Sequence, residues 1–189
     1  KEILAIGQVC RENGLAFHLD GARLFNALVA KNETAAQYGA AFDTISICLS
    51  KGLGAPVGSV LIGPADFIRK ARRIRKIFGG GMRQAGVIAA AGLYALEHQV
   101  ARLATDHEHA RLIAAALQEK DFTGAVLPVE TNIIIFEVQG RYTAASLSAR
   151  LKESNILAIA ISPSQIRLVV HLDISPDMVA QTIDLIRSL

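Results

Sequence analysis

The sequence predicts an α/β protein: a mostly parallel sheet in its first part and a smaller α+β unit after it. Three observations predict this. Helical and strand-like apolar spacings alternate from the first residue to about residue 77, the pattern that threads crossover helices between parallel strands. A stretch from Arg83 to about Lys120 is Ala- and Leu-rich and reads as two helices with no strand between them. Counted from the last of those helices, the order becomes helix, strand, helix, strand, strand, helix, which suits an α+β unit. The boundary falls inside the helical stretch, near residues 100–120, and divides the chain into 1–110 and 111–189.

Each element has its own signal. Ile3, Leu4, Ile6, Val9 and Cys10 recur at helical spacing, and Asn13-Gly14 stops that helix. LAFHLD is a short apolar strand ending in Asp20. GARLFNALVAKN is a helix or helical turn, FDTISICLS a second strand, and VGSVLIG a third strand closed by Gly63-Pro64. Residues 64–77 form a basic amphipathic helix, broken by Gly79-Gly80-Gly81. Later, AVLPVETNIIIFEV contains a strand, TAASLSARLKES is helical, and ILAIAI and IRLVVHL are strands. The closing helix starts at Ser175-Pro176-Asp177, an N-cap followed by Pro in the first turn.

Composition narrows the function classes. At 189 residues the chain fills between one and two domains of about 150. With 51% hydrophobic and 20% charged residues it is not a disordered tail. Lys and Arg number 20 against 17 Asp and Glu, a net +3, too weak to demand nucleic acid. Two cysteines, Cys10 and Cys48, exclude a disulfide scaffold and lack metal-ligand spacing. There is no apolar run near ~18 residues and no cleavable signal pattern, which leads to the expectation of a cytoplasmic protein without membrane attachment. The start at Lys1, already inside a helix, leads to the expectation of a further segment upstream.

Two residues stand where chemistry is possible. Asp20 closes the first strand, and ligands of open α/β sheets bind at strand C-terminal ends; alone, it reads first as a helix N-cap before Gly21-Ala22. Lys51 follows the second strand, surrounded by Gly52, Gly54 and Pro56. A partly deprotonated lysine held by such a turn can form a Schiff base; alone, it reads first as a surface loop lysine. The pair is more informative. Pyridoxal phosphate needs a lysine for its imine and a carboxylate that keeps the pyridine nitrogen protonated, so that the ring acts as an electron sink.

Other clusters read more plainly. The basic run Arg69, Lys70, Arg72, Arg73, Arg75 and Lys76 is interleaved with Phe67, Ile68, Ala71, Ile74 and Ile77. That favours a solvated face or subunit contact over nucleic acid. His107 and His109, flanked by Asp106 and Glu108, sit at i and i+2, which point to different sides of a helix; a solvated helix is expected, not a metal site. Arg167, Val169, His171 and Asp173 would share one strand face, with an Arg–Asp pair as the alternative to a functional Arg167.

Together, His18-Leu19-Asp20-Gly21-Ala22-Arg23, Ser50 to Gly58 (SKGLGAPVG) and Gly79 to Gln84 (GGGMRQ) resemble the low-specificity L-threonine aldolases, which are fold-type-I pyridoxal phosphate enzymes. Val129-Glu130-Thr131-Asn132 and Arg167 to Asp173 (RLVVHLD) resemble that family's smaller domain. The resemblance covers essentially the whole chain. It implies that residues 1–110 are the later half of the cofactor domain and 111–189 the small domain. It implies pyridoxal 5'-phosphate bound through Lys51, with Asp20 on its pyridine nitrogen. Arg23 would lie near the cofactor's phenolic oxygen and the substrate carboxylate, Arg167 would make the second carboxylate contact, and Arg83 and Lys76 would stand near the phosphate or the substrate entrance. The implied reaction is retro-aldol cleavage of L-threonine or L-allo-threonine to glycine and acetaldehyde, in a dimer-based homotetramer. The alternatives are a β-eliminating enzyme of the same fold and a catalytically silent assembly module. The ring-stacking histidine, the base for the β-hydroxyl and the phosphate-binding turn would lie upstream of Lys1.

Overall fold

The computed structural model describes residues 1–189 as eight helices and seven strands. The chain divides into two compact units, Lys1–Ala101 and Arg102–Leu189.

Unit 1 begins with α1 (Glu2–Glu12), whose end is closed by backbone bonds from Asn13. β1 (His18–Gly21) follows. It starts three residues later than its apolar run and ends one residue beyond Asp20. The chain then crosses over through α2 (Leu24–Lys31) and α3 (Ala35–Ala41) to β2 (Thr44–Cys48). α3 is absent from the sequence reading. Seven residues give no apolar stripe, and its one signal is a capping box in which Thr34 and Gln37 satisfy each other's backbone N–H groups. β1 and β2 are parallel, with Asp20 opposite Ser46.

β3 (Ser59–Ile62) pairs with β2 on its other side but runs antiparallel. The reason is length. Only residues 49–58 separate the two strands, too few for the crossover a parallel return requires. Alternation divides the sheet's faces. Ile45 and Ile47 are buried with Leu24 and Leu28 of α2, and Leu19 packs beside them. The opposite face carries His18, Asp20, Thr44 and Ser46, with His18 Nδ1 2.8 Å from Thr44 Oγ1.

α4 (Ala65–Ile77) buries none of its residues. It ends as a Schellman turn. Gly80 N–H donates to Arg75 O at 2.8 Å and Gly79 N–H to Lys76 O at 3.2 Å, with Gly79 at φ +84°. α5 (Gly86–His98) completes the unit.

Unit 2 opens with α6 (Leu103–Gln118), then β4 (Thr123–Val126) and β5 (Ile133–Val138) where one strand was expected. α7 (Ala144–Lys152), β6 (Ile159–Ala160), β7 (Gln165–Val169) and α8 (Pro176–Ser188) follow. The sheet order is β4-β5-β7-β6, antiparallel throughout. One face packs Ile134, Phe136, Val138, Ile166 and Leu168 against helix residues such as Ala110, Leu117, Leu147 and Ile186. Ser175 caps α8 as expected, its Oγ accepting from Met178 N–H at 3.2 Å.

The solvated-helix reading of residues 106–109 is corrected. Asp106, His107 and His109 are buried. Leu103, Asp106, His107, Ala110, Ile113, Ala114 and Leu117 repeat every three to four residues, so residues 106 and 107 lie on the inward stripe of α6. Arg102 donates to Asp106 one turn away. Burial lowers the pKa of His107, against the smaller opposing effect of Asp106.

Candidate functional site

Because β1 and β2 run parallel, their C-terminal ends share one edge of the unit 1 sheet. Asp20 stands near the end of β1, on the polar face, exposed. Gly21, the next residue, is pressed against β2: a Cβ there would come within 2.8 Å of Ser46 O. A larger residue would push the two strand ends apart, so this glycine sets the spacing next to Asp20. Arg23 follows at the N-cap of α2, and its buried Nε has no hydrogen-bond partner.

Lys51 lies three residues beyond β2, exposed, in a closed turn. Gly54 N–H donates to Lys51 O at 2.9 Å, with Gly54 at φ +70°, a left-handed conformation that glycine adopts without strain. The turn is anchored at its base. Leu49 N–H donates to Gly58 O at 3.0 Å, and Ala55 N–H donates to Leu49 O at 3.0 Å. Leu53 and Ala55 are buried while Lys51 between them and the strand is not. Sequence reasoning missed these two anchors; their signal was the recurrence of Leu49, Leu53 and Ala55 among the glycines.

The edge therefore offers one primary amine, one carboxylate on the neighbouring parallel strand, and one guanidinium with an unsatisfied buried donor. This donor set fits the ring end of a pyridoxal phosphate. The amine can attach the aldehyde, the carboxylate can face a protonated ring nitrogen, and the guanidinium can take an oxygen anion.

The remaining candidates are placed as follows. Lys76 is in the last turn of α4, exposed, and its aliphatic stem lies across Gly81, where no Cβ obstructs it. Arg83 is exposed in the segment before α5, next to Gln84 at φ +44°. Neither makes a hydrogen bond or ion pair with Asp20 or Lys51. Arg167 belongs to unit 2, on β7, where its buried Nε also lacks a partner. The Arg–Asp pair does not form, because β7 ends at Val169 and Asp173 instead approaches His171 Nδ1 at 3.3 Å.

Comparison with known proteins follows the same lines. The family of beta-eliminating lyases matches residues 1–141. The low-specificity L-threonine aldolase 1 of Arabidopsis thaliana is 44% identical over 181 residues, covering 94% of this chain and 51% of the plant protein. The low specificity L-threonine aldolase of Escherichia coli (strain K12) is 48% identical over 172 residues, covering 90% of this chain and 50% of the bacterial one. The chain thus spans about half the length of the curated relatives it matches. The solved threonine aldolase of Leishmania major superposes with a TM-score of 0.80 at 20% identity, covering 99% of this chain and 55% of that one, a likeness of fold. The fold is that of fold-type-I pyridoxal phosphate enzymes.

Proposed function

From the premise that this chain belongs to the beta-eliminating lyase family, we propose that the whole protein cleaves β-hydroxy-α-amino acids such as L-threonine to glycine and an aldehyde. The observation that carries this reading is the placing of Asp20 and Lys51 at the same edge of a parallel strand pair, with the buried Nε of Arg23 left without an acceptor. When bound, pyridoxal 5'-phosphate supplies a sink for the electron pair released as the Cα–Cβ bond breaks. Lys51 Nζ is its attachment point. The Asp20 carboxylate holds a proton on the pyridine nitrogen by opposing its positive charge. Arg23 and Arg167 bind the substrate carboxylate with the forked donors a lysine cannot copy. Fixing that carboxylate fixes which bond at Cα stands in line for cleavage, a positioning contribution. Lys76 and Arg83 supply positive charge near the phosphate or the substrate entrance. The protein works as a cytoplasmic homo-oligomer, a dimer-based tetramer, on a small-molecule amino acid.

The test is Lys51→Ala in the whole protein. It is expected to abolish release of glycine and acetaldehyde from L-threonine, together with the visible absorbance of covalently held cofactor. Retention of both would overturn the assignment of Lys51. Ammonia and a keto acid in place of glycine and aldehyde would overturn the reaction in favour of β-elimination. Arg167→Ala is expected to weaken substrate saturation more than cofactor affinity; the reverse order removes Arg167 from the substrate.

A further inference from the structure

Unit 2 contains six arginines. Four pair with carboxylates: Arg102 with Asp106, Arg111 with Glu108, Arg150 with Glu153, and Arg187 with Glu119. Arg141 lies over the Tyr142 ring, 5.1 Å from its centroid. Arg167 is the exception, with a buried Nε that meets no acceptor.

Its neighbours are set by register. On β5 the residue opposite Arg167 is Ile135, and on β6 it is Ile159. Directly opposed residues share a face at close Cβ spacing. The Arg167 stem therefore runs between two β-branched side chains on the sheet face away from the helices. Ile135 is half-buried and Ile159 is 54% exposed. The acid on that face of β5 is Glu137, which stands opposite Gln165 and not Arg167. Its carboxylate leans the other way, over β4, with Oε2 3.5 Å from where a Cβ on Gly124 would stand.

We propose that Ile135 and Ile159 are positioning residues that clamp Arg167 and so set how tightly the protein holds a substrate carboxylate. The inference rests on the reading of Arg167 given above and extends it to the residues that make the arginine effective. Stiff β-branched walls limit the rotamers of a side chain that is otherwise costly to order. They also keep water from the Nε–H. A buried donor without a partner is unfavourable, and an arriving carboxylate relieves that penalty while gaining a charge-assisted bond in a less polar surrounding.

The experiment uses the whole cofactor-loaded protein, unsubstituted and as Ile135→Ala, Ile159→Ala and Ile159→Val. Calorimetric titration with glycine reads carboxylate binding, and glycinamide, which lacks the carboxylate, is the control. Truncation to Ala is expected to raise the glycine Kd about five- to tenfold. The KM for L-threonine should rise by a similar factor, with kcat held within about twofold. Glycinamide binding should not move, and Ile159→Val should restore most of the loss. An unchanged glycine Kd in folded Ile159→Ala overturns the clamp, as does a parallel shift for glycine and glycinamide. The exposure of Ile159 keeps this arm informative if Ile135→Ala fails to fold. Absence of glycine binding by the unsubstituted protein also overturns it. Clamp-dependent glycine binding without cleavage of threonine would sink the aldolase reaction and leave the clamp standing.

Discussion

Unit 2 closes seventeen buried apolar residues between one face of its sheet and helices α6, α7 and α8, whereas the corresponding cluster in unit 1 has four. The exposed large apolar residues run the other way, seventeen in unit 1 against seven in unit 2. Unit 1 is thus no poorer in apolar residues; it disposes them on α1, β3, α4 and α5 instead of around a common centre. The same unit carries Asp20, Arg23 and Lys51 on the edge and polar face of its sheet. Hydrophobic content and core size are separate properties, and the proposed cofactor-holding residues belong to the unit with the smaller core.

The comparison can be broken most sharply by matched truncations read by native-state hydrogen exchange, which follows each unit separately. Phe136→Ala, at a fully buried site of unit 2, is expected to cost about 3–5 kcal/mol. Leu28→Ala in unit 1 should cost about 2–3 kcal/mol, the lower part of the range for such truncations, because its partly exposed neighbours can relax into the space. Equal costs would mean that the smaller cluster is packed as rigidly as the larger one. Next in size is the helix cap. Ser175→Ala should destabilise unit 2 by about 1 kcal/mol, while α4, whose N-cap Pro64 makes no side-chain cap bond, offers no equivalent loss. Smallest of these, Ile77→Ser at a position 70% exposed should stay within about 0.5 kcal/mol.

Opposite pH edges sharpen the contrast. In unit 1 the Tyr38 hydroxyl donates to Glu33 at 2.8 Å, and that bond, with burial and the Glu33 charge, raises its pKa above 10.0. A raised pKa marks stability present below the unfolded value and lost as pH rises through the folded one. In unit 2 His107 and Glu119 are lowered, the first by burial and the second by its hydrogen bond to Arg187. Their contributions are present above the unfolded values and lost as pH falls through the folded ones. Acid should therefore loosen unit 2 and strong alkali unit 1. Thermal melts across pH should show the alkaline fall flattened by Tyr38→Phe and the acid fall unaffected by it.

Much of the architecture was legible because it rests on local signals. α4 and α8 follow from apolar spacing plus Pro and Ser punctuation, and β2 from strict alternation in Thr44–Cys48. The misses are places where tertiary context decides. The two-residue β6 occupies a six-residue apolar run, since only Ile159 and Ala160 find partners on β7. Asp106 and His107 look polar, yet their phase on α6 turns them inward. The site was partly legible: Asp20 and Lys51 announce themselves as ends of neighbouring strands that could share one edge, and β1 and β2 do pair in parallel, whereas the buried anchors Leu53 and Ala55 of the Lys51 turn went unread. The isoleucines beside Arg167 could not be found without the register.

The closed base of the Lys51 turn has a consequence for how this scaffold can vary. Asp20 is fixed by β1 and Gly21, and Lys51 by bonds wholly within residues 49–58. The crossover through α2 and α3 joins them without setting their separation. Insertions in the exposed segment between α2 and α3 therefore cost little, because loop closure grows slowly with length. A single deletion between Leu49 and Gly58 would draw the amine off the edge. Added length in the first connection leaves the edge as it is, and lost length in the second does not.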